Sequence, residues 1–223
     1  HNPDLDIEER HLGLVPSHED DSCVNKIMAL RNAIQDQVDL EALQKIADKH
    51  APEQAAAAAD ESVSRPTDVN IGIVENAAFG FYYPDDLEAF EQAGANLIRI
   101  DNLVDTALPP LDGLFIGGGF PETHMSELES NKSFRRQLAQ AIDDGLPVYA
   151  ECGGLMYLGD SLTWEGKTRK MAGVIPAQVV MHPKPQGRGY VRLRETAAHP
   201  WPLSIDGSEP ISAHEFHYSA LRR

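Results

Sequence analysis

The chain of 223 residues divides into three stretches with different patterns of apolar and polar positions. Within residues 1–50, apolar side chains recur every three or four positions over residues 24–35 and 38–46, which predicts two amphipathic helices. Residues 51–67 contain alanine, acidic residues, serine and proline without apolar anchors, a composition typical of a linker. Because no strand is predicted before the helices, we interpret residues 1–50 as the tail of a larger domain.

From residue 68 onward, short apolar runs alternate with amphipathic helical patterns. Continuous apolar strands that alternate with helices favour a parallel sheet covered on both faces, so the predicted fold class is α/β. The predicted strands are residues 70–74, 95–100, 114–116 and 147–150, and the predicted helices are residues 84–93 and 131–144.

Beyond residue 159 the pattern is weaker. Three further strands are predicted, at residues 173–181, 189–193 and 212–219. The chain then reaches Arg223 without a clear last element, which we interpret as truncation. Residues 68–223 are therefore expected to form one C-terminally truncated domain.

Composition narrows the range of partners. With 19 basic and 35 acidic residues, the formal net charge is −16, which disfavours nucleic acid and anionic membrane surfaces as partners. The two cysteines lie far apart, and no Cys/His spacing predicts a metal site. Apolar runs are far shorter than the roughly 20 residues that span a bilayer. A cytoplasmic location is expected, because neither a disulfide framework nor a signal peptide is evident.

The sharpest chemical signal is Cys152, within residues 147–157 (PVYAECGGLMY). An apolar strand runs into a cysteine flanked by small residues, and a helical stretch follows, as in a nucleophile elbow. Gly153 would offer its N–H to an oxyanion, and the helix N-terminus would stabilise a thiolate. The alternative is that Cys152 is a small buried apolar residue. The context favours a nucleophile, whereas nothing around Cys23 does.

A second signal is the run Gly117, Gly118 and Gly119 after the third predicted strand. Three glycines let the backbone approach a ligand closely and turn its N–H groups toward it. The loop lacks the Lys-Ser/Thr of a phosphate-binding motif, and a simple tight turn is the alternative. Beside a nucleophile one strand later, it fits the second half of an oxyanion hole. Gly118 is the preferred donor, followed by Gly119.

A cysteine that cleaves an amide needs a base to activate it and an acid to protonate the leaving nitrogen. Histidine does both near neutral pH, and residues 214–219 (HEFHYS) offer His214 and His217. Their separation is odd, so in a strand they point to opposite faces and only one of them can meet Cys152. The alternative for either is a hydrogen-bonded or exposed histidine.

Taken together, five ordered motifs resemble those of the cobyrinic acid a,c-diamide synthase family, over nearly the whole chain. The motifs are ERHLGL (9–14), AFGFYYP (78–84), GGGFPE (117–122), YAECGGLMY (149–157) and HEFHYS (214–219). The resemblance implies a Rossmann-like, flavodoxin-like sandwich of the class I, cobyric-acid-synthase-type glutamine amidotransferases. It also implies a glutaminase that supplies ammonia for amidating carboxylates of a corrin-type macrocycle in cobalamin biosynthesis.

The resemblance implies Cys152 as the nucleophile and His217 as its base. Many class I amidotransferases carry a Glu two residues past this histidine, where Ser219 stands here. The cobyric-acid-type branch is similar in lacking that Glu, so a Cys–His pair is the expected machinery.

The partners implied are glutamine, a corrin or tetrapyrrole carboxylate and an N-terminal synthetase domain, while a homodimer stays open. The synthetase domain would use ATP and Mg²⁺, whereas no cofactor is expected in this chain. Its glycine loop should end in Lys-Thr or Lys-Ser, but Gly166-Lys167-Thr168 lacks the upstream glycine and follows no predicted strand. We therefore interpret residues 1–50 as the tail of a truncated synthetase domain.

The loop after the first predicted strand should border the site. Its aromatic residues Phe81, Tyr82 and Tyr83 are expected to line it together with Glu151, and contact with a flat macrocycle and ordinary packing both stay open. Other hypotheses keep the motifs but change the function. The acceptor could be sirohaem, a nickel tetrapyrrole or another acid. The chain could instead be a stand-alone cysteine hydrolase or chaperone-like protein, or a regulatory module with a vestigial cysteine.

Overall fold

The structure is a computed structural model that describes residues 5–7, 9–10, 13–14, 23–51, 69–194 and 210–222. It divides into two compact units, His1–Pro66 with Gln92–Gly94, and Thr67–Glu91 with Ala95–Arg223. Apart from Ala51, the predicted linker lies outside the described residues.

The first unit contains the two predicted helices. They are α1 (Cys23–Gln37) and α2 (Leu40–His50), preceded by two short antiparallel strands, β1 (Glu9–Arg10) and β2 (Gly13–Leu14). Asp39 begins α2, because its carboxylate accepts a hydrogen bond from the Ala42 N–H at 2.9 Å. No side chain of either helix is buried, so the predicted apolar faces are exposed.

The second unit is built on four parallel strands. They are β3 (Val69–Val74), β4 (Ala95–Ile100), β5 (Gly113–Ile116) and β6 (Val148–Ala150), in the spatial order β4-β3-β5-β6. The helices are α3 (Pro84–Gln92), α4 (Met125–Ser130), α5 (Lys132–Asp143) and α6 (Gly153–Leu158). The prediction of an α/β fold with a parallel sheet is confirmed. The strand order reverses between β3 and β5, a position where open α/β sheets bind ligands beyond the carboxyl ends of the strands.

Alternation along the strands assigns side chains to the two faces of this sheet. Leu114 and Ile116 of β5 belong to the main core, with Phe134 and Leu138 of α5. On the opposite face, Phe115 meets several aromatic rings at centroid distances between 5.1 and 6.1 Å. These rings are Tyr82, Phe90 and Tyr149. Side chains therefore cover both faces of the sheet, as predicted.

The last third of the chain forms two smaller sheets. The strands β7 (Gly159–Trp164), β8 (Lys167–Lys170), β9 (Ile175–Met181) and β12 (Ser219–Arg222) lie in the order β12-β9-β7-β8. An antiparallel pair is formed by β10 (Gly187–Leu193) and β11 (Ile211–His217). The interpretation that the chain has no terminal element was wrong, because β12 pairs with β9. Its sequence, SALR, has too few apolar positions to indicate a strand without that pairing.

Candidate active site

Three segments meet at the carboxyl edge of the parallel sheet. Residues 75–83 follow β3, the triple-glycine loop follows β5, and Cys152 follows β6. An isolated bridge joins Phe81 to Gly118, and the Gly154 N–H donates to the Gly117 carbonyl at 3.1 Å. The predicted nucleophile, glycine loop and bordering loop are thus neighbours at the position where the strand order reverses.

Cys152 has the backbone conformation of a nucleophile elbow. Its φ of 46° and ψ of −109° are unusual for a residue with a side chain, and α6 begins at the next residue. A Cβ at Gly154 would lie 2.3 Å from the Ile116 carbonyl oxygen, so only glycine allows α6 to start this close to β5. The small-residue pattern around the cysteine therefore reflects a real steric need.

Opposing influences act on the Cys152 thiol. Burial raises its pKa, the carboxylates of Glu122 and Glu151 raise it further, and the backbone N–H groups of Gly153 and Gly119 lower it by hydrogen bonding. The residue is exposed enough to be reached by a substrate, while its neighbours remove enough water from the sulfur for burial to be the largest effect. The net shift is upward, so the resting group is a thiol and needs a base.

The direction of the Gly119 N–H is set by hydrogen bonds on the other side of the same peptide. The Gly118 carbonyl accepts from the N–H groups of Gly80 and Phe81, both at 3.1 Å. In a trans peptide the C=O and N–H point in opposite directions, so the Gly119 N–H is turned away from those two residues. It donates a hydrogen bond to the Cys152 thiol, so it is turned toward the sulfur.

The three glycines of this loop therefore make different contacts. The Gly117 N–H donates to the Tyr82 hydroxyl at 2.9 Å, so that donor is already engaged. Gly118 lines the site, because a Cβ there would lie 3.5 Å from the Cys152 Cβ. The sequence favoured Gly118 as the donor, followed by Gly119, and the choice of donor stays a prediction; the backbone hydrogen bonds to the Cys152 sulfur come from Gly119 and Gly153.

The aromatic residues of the bordering loop differ in exposure. Tyr82 is partly buried, and its hydroxyl donates to the Val74 carbonyl while accepting from Gly117. Phe81 packs edge-on against Phe120 at a centroid distance of 5.4 Å. Tyr83 is exposed. Ordinary packing therefore accounts for Tyr82 and for the part of the Phe81 ring that contacts Phe120.

Two carboxylates lie beside the cysteine. Glu151 accepts a hydrogen bond from the Tyr149 hydroxyl at 2.6 Å, which raises the pKa of Tyr149 to about 12. Glu122, in the 3-10 turn Pro121–His124, is only 2% exposed, and its charge raises the pKa of Cys152. Sequence reasoning treated Glu122 only as part of a motif. Its place directly after the glycine loop was the signal that could have identified it.

His217 is the last residue of β11, directly opposite Gly187 in the β10–β11 pair. Its Nδ1 lies 2.7 Å from the Ser219 carbonyl oxygen and its Nε2 lies 3.5 Å from Glu215 Oε2. His214 pairs with Tyr190, and their rings meet edge to face at 5.6 Å. Both histidines lie in one strand at an odd separation, so they face opposite sides as expected. The pairing of His217 with Cys152 stays a prediction.

Searches for other kinds of site gave two negative findings. Across the ranges that the structure describes, no three His, Cys, Asp or Glu side chains are grouped to hold a metal ion. None of the helices in those ranges combines the length and apolar character that crossing a bilayer demands.

A strained cysteine at the edge of a parallel sheet, with N–H groups aimed at its sulfur, is the arrangement of enzymes that form an acyl intermediate on cysteine. The chain belongs to the CobB/CobQ-like glutamine amidotransferase domain family, whose sequence profile matches residues 70–223. This match confirms the enzyme class and the family that the motifs indicated.

Similar proteins match nearly the whole chain, including residues before the part that the family profile matches. The chain is 40% identical to a cobyrinate a,c-diamide synthase of Magnetococcus marinus, covering 97% of this chain and 47% of that protein. Proteins with the same name from Caldanaerobacter subterraneus and Listeria innocua are 39% and 38% identical, covering 98% and 99% of this chain and 47% and 48% of theirs. The chain thus spans about half the length of the curated relatives that it matches. A crystal structure of a glutamine amidotransferase aligns with a TM-score of 0.46 at 16% identity, covering 69% of this chain and 74% of that one.

Proposed function

We propose that this chain is the glutamine-hydrolysing part of a cobyrinate a,c-diamide synthase, supplying ammonia for amidation of a corrin-type macrocycle. The observation that carries the glutaminase assignment is Cys152, held at positive φ with the N–H groups of Gly119 and Gly153 directed at its sulfur. The corrin acceptor is supported by the name that the relatives share, which applies to proteins about twice as long.

In the proposed reaction, His217 takes the thiol proton and the Cys152 sulfur attacks the side-chain amide carbon of glutamine. The N–H groups of Gly119 and Gly153 hold the negative oxygen of the tetrahedral intermediate. When the C–N bond breaks, His217 returns the proton to the departing nitrogen, which leaves as ammonia. Water then hydrolyses the glutamyl thioester, so that glutamine and water give glutamate and ammonia.

Activation of the acceptor carboxylate by ATP and Mg²⁺ is proposed to take place outside the residues of this chain. The one Gly-Lys-Thr sequence that invites comparison with a phosphate loop, at Gly166, does not fit it. Gly166 lies in the turn between the antiparallel strands β7 and β8, with a φ of 74°, and Lys167 and Thr168 begin β8. A phosphate loop requires a helix at that place. No step of the amidation is therefore assigned to these residues.

The geometry of this chain does not bear on the acceptor, on the synthetase domain or on homodimer formation. These three stay proposals. The cytoplasm remains the predicted location, since a nucleophilic cysteine has to stay reduced in order to act.

The test of the proposal is the release of ammonia from glutamine by the full chain and by two cysteine variants. Cys152→Ala should abolish the release while the circular dichroism spectrum is unchanged, because the thioester is proposed to form on the Cys152 sulfur. Cys23→Ala is the matched control and should keep full activity. A glutamine analogue with an electrophilic ketone should label Cys152 and spare Cys23. Normal ammonia release by a folded Cys152→Ala protein would contradict the proposal.

A further inference from the structure

His217 has a partner at each of its ring nitrogens, and both partners come from its own part of the chain. The main-chain oxygen of Ser219 lies 2.7 Å from Nδ1, and Glu215 Oε2 lies 3.5 Å from Nε2. Ser219 occupies the place where many class I amidotransferases carry the Glu that orients their histidine. The structure shows that this position still contacts the imidazole, but with its backbone.

The contact with Ser219 fixes the tautomer of the neutral ring. A carbonyl oxygen can only accept, so the proton of neutral His217 must reside on Nδ1. Nε2 then carries the lone pair and is the nitrogen that can receive a proton. A main-chain oxygen therefore performs the orienting task that a carboxylate performs elsewhere.

Glu215 supplies what a neutral carbonyl cannot, which is negative charge. Residues two apart in a strand share a face, so Glu215 and His217 lie side by side on β11. At 3.5 Å the carboxylate is too far from Nε2 for a good hydrogen bond, yet close enough for an ion pair with a protonated ring. The carboxylate therefore faces the ring without closing a hydrogen bond to Nε2.

Gly187 makes the space for this pair. A Cβ at Gly187 would lie 2.2 Å from His217 Nε2 and 2.9 Å from the Glu215 carboxyl carbon. Gly187 lies opposite His217 in the β10–β11 pair, and any side chain at this position would collide with both groups.

We propose that Glu215 is a positioning residue for His217 and that, with the Ser219 main-chain oxygen, it replaces the missing triad carboxylate. The orienting task and the charge-stabilising task of that carboxylate are divided between two groups. Glu215 acts through His217, because it stabilises the imidazolium that forms when Cys152 gives up its proton and that later protonates the leaving nitrogen. The inference rests on the proposed glutaminase function.

The test measures kcat/KM for glutamine in the full chain, using the variants Glu215→Gln and Glu215→Asp. Hydrolysis needs the imidazolium that forms when Cys152 gives up its proton, so removal of the carboxylate charge should slow it. Glu215→Gln should lower kcat/KM for glutamine about tenfold, a part of the usual contribution of acid–base catalysis. Glu215→Asp keeps the charge and should recover most of this loss.

Two further variants complete the design. Gly187→Ala should also reduce glutamine hydrolysis, because the added methyl group displaces Nε2 and the carboxylate together. Glu88→Gln, an exposed residue of α3, is the charge-matched control and should behave as the unaltered chain. Thermal unfolding of each variant checks that it is folded.

The proposal is overturned if Glu215→Gln leaves glutamine hydrolysis unchanged, or if Glu215→Asp is impaired as much as Glu215→Gln, since the second result shows that the charge is not what matters. Normal glutaminase activity of Cys152→Ala would instead contradict the proposed function itself. The two failures are therefore distinguishable.

Discussion

Cys152 combines a strained backbone with a thiol that is harder to ionise than an ordinary one. Burial and the neighbouring carboxylates of Glu122 and Glu151 outweigh the hydrogen bonds from Gly119 and Gly153. Such a balance keeps the nucleophile protonated at rest and makes its reactivity dependent on a base. The glycine N–H groups then have their largest effect when negative charge appears during the reaction.

The contribution of Glu151 can be measured directly. Its negative charge disfavours the thiolate and raises the pKa of Cys152, so Glu151→Gln should lower that pKa and enlarge the thiolate fraction. Alkylation by iodoacetamide at pH 8 should then be about twofold faster at Cys152. Mass spectrometry measures the rate, with Cys23 in the same molecule as the internal reference. The control is Tyr149→Phe, which keeps the charge of Glu151 and removes only the hydroxyl that donates to it, and which should show no acceleration. Unchanged alkylation of Glu151→Gln would contradict the effect of Glu151 on the pKa of Cys152.

At the scale of elements, the loop after β3 fixes the shape of the glycine loop after β5. The N–H groups of Gly80 and Phe81 hold the Gly118 carbonyl, and the Tyr82 hydroxyl accepts from the Gly117 N–H. Burial raises the pKa of Tyr82, so its hydroxyl keeps its proton and can go on donating to the Val74 carbonyl. The proposed oxyanion donor Gly119 is therefore aligned by a side chain and by peptides of the loop after β3.

Tyr82→Phe should loosen this arrangement without removing a donor. We expect kcat for glutamine to fall about tenfold, less than the roughly 100-fold or larger loss on deleting an oxyanion donor. Alkylation of Cys152 by iodoacetamide should slow by a smaller factor, because that displacement forms no oxyanion and loses only the hydrogen bond from Gly119 to the sulfur. A glutamine aldehyde analogue, whose adduct carries the oxyanion, should bind more weakly.

The control for this variant is Tyr149→Phe, which removes a hydroxyl from the same face of the sheet without touching the glycine loop. If Tyr82→Phe slowed alkylation and glutamine hydrolysis by the same factor, a general disturbance of the elbow would explain the result better than a misaligned donor.

At the scale of the whole molecule, the residues proposed for catalysis are distributed between the parallel sheet and one of the two smaller sheets. The elbow and the oxyanion donors lie at the edge of the parallel sheet, whereas His217 is on β11 of a separate two-stranded sheet. The proposed base and the proposed nucleophile therefore belong to different sheets. The chain also spans about half the length of its curated relatives, and the proposed amidation requires more than the described fold provides.

One prediction concerns the chain as a whole. Isothermal titration calorimetry of the full chain with Mg-ATP should show no micromolar binding, because its sequence contains no phosphate loop and Gly166 occupies a β-turn. ADP with Mg²⁺ serves as a comparison, since the same loop would bind both nucleotides. A saturable micromolar isotherm would show that an ATP site has been overlooked and would reopen the division of tasks.

The sequence by itself determined the elements with strong local signals and the residues next to them. The apolar run of β4 and the Pro and Gly that flank α3 correctly indicated those elements. Cys152 was recognisable because an elbow is a local structure, which depends on a strand and small neighbours a few residues away. The polar strands β7 and β8 and the terminal β12 were not predicted, because their pairing is with distant segments and leaves little periodicity in the chain.

Only the tertiary structure decided which peptide of the glycine loop faces the sulfur. All three glycines look alike in the sequence, and the choice of Gly119 depends on Gly80 and Phe81, which belong to another loop. The Ser219 oxygen and the Glu215 charge lie two residues from His217 and were hidden for a different reason, since a backbone oxygen can be contributed by any residue type. The space that Gly187 leaves for His217 comes from the neighbouring strand. Like the contacts of the glycine loop, it arises between segments that are far apart in the chain, where no local pattern can record it.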